Sequence, residues 1–172
     1  MKAAWFQGLL ALGVVLSSCH LSADNQLSDS ILEVRLVESA INCAGSAASP
    51  QATWIADRGH FREVYRRLKR AVIAGEPEGL PAVDFSREAL VLIEMGRKTT
   101  GGYFLKLKST KARVLDDTAQ VELEWREPSP GDVVTQVLTS PCILIAFPKN
   151  GSYSRVQIFD QNGRVRLTVA TD

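Results

Sequence analysis

Arg155-Val156-Gln157-Ile158-Phe159-Asp160-Gln161-Asn162-Gly163-Arg164-Val165-Arg166-Leu167-Thr168-Val169 decides the fold class. Val156 and Ile158 alternate with Arg155 and Gln157, and Val165, Leu167 and Val169 alternate with Arg164, Arg166 and Thr168. Successive side chains of a strand point to opposite faces, so this pattern describes two half-buried strands. Asn162-Gly163 between them suits a two-residue turn whose central positions both take positive φ. The stretch therefore reads as a β-hairpin.

The same period runs back through the chain. Val121, Leu123 and Trp125 alternate with Glu122, Glu124 and Arg126, and Tyr103, Leu105 and Leu107 with Phe104, Lys106 and Lys108. Residues 89–93 are continuously apolar, as in a central strand covered on both faces. Residues 132–138 and 142–147 are two further β-rich runs, and residues 31–37 alternate well enough for one strand. Asp116-Asp117 suits a hairpin turn. Such spacing, with turn chemistry between the runs, predicts a mainly β (α+β) protein, an antiparallel sandwich or barrel-like sheet. Residues 42–51 are rich in Ala, Gly and Ser and read as a loop. Asp57 is the expected N-cap of one prominent amphipathic helix, with Phe61, Val64, Tyr65, Leu68 and Val72 on its apolar stripe, Gly75 as its stop, and residues 76–81 as a connection. There is no internal repeat or low-complexity segment.

The N-terminal segment carries an address. Lys2 is followed by an apolar run over residues 3–16, broken only by Gln7, and then by Leu16-Ser17-Ser18-Cys19. This is a secretory-signal layout, shorter than the roughly 20 residues that span a bilayer. Leu-Ser-Ser-Cys at this place resembles the bacterial lipobox. The resemblance implies cleavage before Cys19 and acyl chains on its sulfur and new N-terminus, enough to hold a protein stably at a membrane. The expected organisation is a signal peptide over 1–18, a polar tether over 19–30 and one β-rich domain over 31–172. The expected location is the bacterial cell envelope. His20, where an Asp would signal retention, resembles the pattern for export to the outer membrane, facing the periplasm.

Composition narrows the rest. The 172 residues hold 20 basic and 19 acidic side chains, with no basic stripe interleaved with aromatics, so nothing points to nucleic acid. Arg58, Arg62, Arg66, Arg67, Lys69 and Arg70 form the one local excess. It reads as the solvated face of the helix, with anionic lipid near the anchor as the alternative. Beyond Cys19, Cys43 and Cys142 remain. An even pair in an oxidising compartment points to a disulfide, the alternative being two unpaired thiols.

A catalytic set is missing. His20 lies in the tether and His60 in the first turn of the helix, and no His/Cys/Asp cluster has metal-ligand spacing. No G-x-S-x-G, P-loop or G-x-G-x-x-G occurs. The expectation is a non-enzyme with no cofactor and no metal; a hydrolase using His60 is the distant alternative.

Three segments stand out instead. Thr99, Thr100, Gly101, Gly102 and Tyr103 join two strands with a glycine pair and an amphipathic ring, either a recognition surface or a plain β-turn with Tyr103 buried. Pro128 to Gly131 and Thr139 to Pro141 are proline-bearing loops that either face a partner or block a sheet edge. Together with Val83-Asp84-Phe85-Ser86, Met95-Gly96-Arg97 and Phe147-Pro148-Lys149, these segments resemble the protease complex subunit PrcB family over residues 80–150, the C-terminal domain of that family. The resemblance implies a lipid-anchored, non-catalytic accessory protein whose partner is an envelope protein, a protease in the family's namesake system. The expected contact residues are Thr99, Thr100, Gly101, Gly102, Tyr103, Pro128, Gly131, Thr139 and Pro141. Residues 98–103 also resemble the Thr-Thr-Gly-Tyr loop of chagasin-type peptidase inhibitors, which implies direct inhibition as an alternative role.

Overall fold

The computed structural model describes residues 29–43, 47–69 and 79–172. The signal segment, Cys19, most of the tether, Val72 and Gly75 lie outside the described residues. The elements are β1 (Ser30–Glu33), β2 (Arg35–Ala40), β3 (Gln51–Ile55), α1 (Arg58–Lys69), β4 (Glu88–Glu94), β5 (Phe104–Leu107), β6 (Lys111–Leu115), β7 (Thr118–Arg126), β8 (Cys142–Pro148), β9 (Arg155–Phe159) and β10 (Val165–Ala170).

They form two sheets and one helix. The first sheet runs β1-β6-β7-β9-β10, with β5 pairing the second half of β7. The second runs β2-β8-β4-β3. Between the sheets lie Val91, Ile93 and Met95 of β4 and the chain after it, Ile143, Ile145 and Phe147 of β8, and Val121, Leu123 and Trp125 of β7. On the other face of the second sheet, Leu90, Leu92, Leu144 and Ala146 meet Phe61, Val64, Tyr65 and Leu68 of α1. β4 is continuously apolar because both its faces are covered. A helix of 12 residues is marginal in isolation. Burial of its four core side chains, about 1.5–3 kcal/mol each, holds it to the sheet. Asp57 caps it as expected, its Oδ1 accepting the His60 amide at 2.9 Å.

The structure corrects several expectations. Residues 31–37 are not one strand. The chain breaks at buried Val34, whose amide bonds Thr110 O at 2.7 Å, so that β1 serves the first sheet and β2 the second. The first strand starts before residue 31: Ser30 opens β1, and Asp29 pairs with Arg113 at 3.4 Å. β3 and β6 are strands the residue pattern did not single out. Residues 132–138 form no strand. The sheet is not wholly antiparallel, since β7 and β9 pair in parallel. β8 carries the chain back through the second sheet, so β9 re-enters the first running the same way as β7. The 160–164 turn also differs: of the expected pair only Gly163 has positive φ, +73°. Asp160 organises a wider turn by accepting the amides of Asn162 and Arg164 at 2.9 and 3.1 Å. Asp116 and Asp117, at φ 49° and 60°, make the tight turn with two positive central residues.

The strand directions define two poles. Ser30, the 116–117 turn and the end of β8 lie at one. α1 starts there too, because Lys149 Nζ donates to Ala56 O and Phe85 O, both at 2.8 Å. The ends of β2, β4 and β7 and the start of β8 lie at the other.

Candidate functional site

The second pole is built by the segments singled out in the sequence. Past β4, the Met95 amide bonds Pro141 O at 2.9 Å, and Gly96, at φ +75°, redirects the chain. Lys98 and Thr139 exchange both backbone hydrogen bonds, at 2.7 and 3.0 Å. Thr139 Oγ1 donates to Thr100 O at 2.9 Å, and the Gly101 amide donates to Thr135 O at 2.8 Å. Gly102, at φ +86°, sits under Pro128 and Val134: a Cβ there would lie 2.9 Å from Pro128 Cγ and 3.0 Å from Val134 Cγ1. The 128–131 turn is fixed by Asp132, whose carboxylate accepts the Ser129 amide at 2.8 Å and the Arg126 guanidinium at 3.0 Å.

Cys43 and Cys142 are joined by a disulfide beneath this loop cluster, with Cα atoms 6.1 Å apart. Ser140 reinforces the junction, its Oγ donating to Cys43 O at 2.7 Å while its amide bonds Ile41 O at 3.0 Å. Glu94, directly opposite Cys142 in the ladder, is fully buried. Its Oε2 accepts from Gln51 at 2.7 Å and lies 3.5 Å from Arg67 Nη2.

All three expected contact segments therefore meet at one pole, but their residues do different things. Gly101, Thr139 and Pro141 are buried and shape the surface from beneath. Thr99, Gly102 and Gly131 are exposed; Thr100, Tyr103 and Pro128 are half-buried. Tyr103 carries the Lys98 ammonium 5.2 Å from its ring centre. The outward surface comes mainly from residues the sequence reading passed over. Val133 is wholly exposed and Leu138 is 74% exposed, with Val137 and Ile41 about half exposed. These are four of the seven exposed large hydrophobic residues among the described ones. Their signal was present in sequence. Prolines 128, 130 and 141 bracket the run, and the doublets Val133-Val134 and Val137-Leu138 break strict alternation.

The surface is loop-built and sets exposed Ile41, Val133, Val137 and Leu138 among the charged side chains of Arg97, Lys98, Arg126 and Asp132. His60 is exposed on α1, and the disulfide leaves no thiol at Cys43 or Cys142 to act as a nucleophile. Among the described residues no group of three or more His, Cys, Asp or Glu is placed to hold a metal ion, and no helix is long and apolar enough to cross a membrane.

Fold and pole together define a β-sandwich that displays an irregular surface at one end. Residues 89–148 match the family model described as PrcB C-terminal. The match runs from β4 to the end of β8 and takes in every loop of the cluster except the 41–43 turn. Comparison with curated proteins and with solved structures returns no match.

Proposed function

We propose that this protein is a non-catalytic binding or assembly module of the bacterial cell envelope, held at a membrane by acyl chains on Cys19 and associating with a protease as an accessory subunit. The carrying observation is convergence: the 97–103, 128–131 and 132–141 segments build one pole that exposes Ile41, Val133, Val137 and Leu138 to solvent. Several large aliphatic side chains exposed at one end of a fold are a mark of protein interaction surfaces when they join into a patch. The match to a PrcB C-terminal domain supports the protease as partner, and the Leu-Ser-Ser-Cys motif supports the anchor. Direct peptidase inhibition is the alternative role: segment 132–138 covers Gly101, while Thr99 and Gly102 of the same loop stay exposed.

Cross-linking in intact cells followed by mass spectrometry tests this reading. Wild-type protein is expected to yield a stoichiometric adduct with an envelope protease, and Val133→Asp with Leu138→Asp to lose it at least tenfold without a change in thermal stability. Recovery of no protease, or an adduct indifferent to both substitutions, would overturn it. Cys19→Ser is expected to leave an unacylated precursor; normal processing and detergent partition of that variant would remove the anchor.

A further inference from the structure

We propose that the arginine face of α1 is a docking surface for the anionic headgroups of a phospholipid bilayer, so that the helix lies against the membrane that the acyl chains enter. The inference rests on the anchored reading above for delivery to the bilayer, and on α1 itself for the contact.

The first observation is charge asymmetry. The twelve residues of α1 contain five basic side chains and one acidic one, a net +4, while the other 160 residues hold 15 basic and 18 acidic, a net −3. The second is the lack of countercharge within the cluster. Elsewhere five of the thirteen described basic residues meet carboxylates, Arg35, Arg87, Arg113, Arg126 and Arg166, and they are scattered over separate strands and loops. Lys69 and Arg67 of α1 pair with Glu38 and Glu94. Arg62 and Arg66 close no ion pair among the described residues, and Arg58 feels Asp84 without pairing to it.

The third observation is placement. Positions 58, 62 and 66 fall within an arc of about 80° on a regular helix, and all three are exposed, clear of the Phe61, Val64, Tyr65 and Leu68 stripe. The fourth is that this arrangement costs the fold something. The first turn holds no acidic residue, and Arg58 opens the helix where the macrodipole favours negative charge. A local choice that opposes folding is the kind that function retains. The fifth is topology: α1 begins at the pole where Ser30 enters the sheet and runs along the second sheet toward the loop pole, where Arg67 meets Glu94, so a tether arriving at Ser30 brings the Arg58 end of the helix nearest to the bilayer.

A basic side chain near an anionic leaflet strengthens binding roughly fivefold, so three arginines supply about 100-fold. The test uses full-length Cys19→Ser protein, which lacks acyl chains, with vesicles of phosphatidylethanolamine alone or with one quarter phosphatidylglycerol. The apolar leader contributes equally to every variant. The Arg58→Gln, Arg62→Gln, Arg66→Gln triple variant is expected to lose about 100-fold of its partition onto the anionic vesicles and none on the neutral ones. The corresponding triple Lys variant, which keeps the charge, is expected to retain most of the preference. Equal partition of the Gln variant and its parent would overturn the proposal, as would loss of the preference in the Lys variant. So would unchanged partition accompanied by loss of a protein cross-link in the Gln variant, which would assign the face to an acidic protein. Detergent partition of the native acylated protein reports the anchor separately, since it depends on Cys19 and not on the arginines.

Discussion

Gly101 and Thr135 are locked backbone to backbone. The Gly101 amide donates to Thr135 O at 2.8 Å, and a Cβ on Gly101 would fall inside the contact distance of Thr135 Oγ1. The pair fastens the 132–138 segment over the Thr-Gly-Tyr loop. Gly101→Ala is expected to destabilise the protein by about 1–3 kcal/mol, the usual range for overpacking. Thr135→Ala removes the colliding oxygen, so the double variant is expected to recover most of that loss. A urea double-mutant cycle reads the coupling; additive effects would contradict it.

Gly96 is more constrained still. Its φ is +75°, and a Cβ would lie 2.8 Å from both Ala48 O and Ser49 C, which are backbone atoms without a rotamer to yield. Gly96→Ala is expected to cost about 2–4 kcal/mol, more than Gly101→Ala, and no single side-chain substitution is expected to rescue it. Thermal unfolding of the two variants side by side decides the ranking.

The Cys43–Cys142 bridge closes a separation of 99 residues. In the chain-entropy account a loop of that size contributes roughly 4–5 kcal/mol. Reduction, or Cys43→Ser with Cys142→Ser, is expected to lower the guanidinium midpoint correspondingly. Thiol labelling of unfolded, unreduced protein is expected to find neither cysteine free.

Asp160 gives the fold an acid-sensitive joint. Burial pushes its carboxyl up, but the amides of Arg164 and Asn162 and the charges of Arg166 and Arg164 outweigh burial and hold it below the ordinary carboxylate range. A folded-state pKa below the unfolded value of about 3.9 stabilises the protein above that value and ceases to do so as pH falls through the folded pKa. Asp160→Asn is therefore expected to lower Tm at pH 7, with the gap to wild type narrowing below about pH 4. A gap constant from pH 7 to pH 2.5 would contradict this.

Legibility in the sequence followed the range of the forces involved. The alternation in 121–125 and 155–158, the cap at Asp57 and the four-residue stripe of α1 are local, and the structure has them where the pattern puts them, whereas in 164–169 a bulge between Val165 and Leu167 leaves Val165 exposed against the expected period. β3 was hidden because four of its five residues are half-buried, which blurs the period. β6 does alternate, but only over five residues. The parallel pairing of β7 with β9 depends on where β8 goes, which no local pattern records. At the pole, Gly101, Thr139 and Pro141 were legible as unusual but not as buried. Val133 and Leu138 were assigned to a strand because their residue types favour one. They stand in solvent because the run pairs with no strand, meeting the 97–101 loop through Thr135 and Thr139.

The crossover of β8 also sets the order in which the molecule can be completed. Residues 142–148 lie between β2 and β4 in one sheet, and the other sheet closes only when 155–159 come to rest beside β7. A nascent chain with its first 130 residues made thus has the rows of β2, β4 and β7 still awaiting their neighbours. Such long-range closure folds slowly and leaves unpaired strand margins open to aggregation meanwhile. Those margins stay open until residues 142–159 take their places.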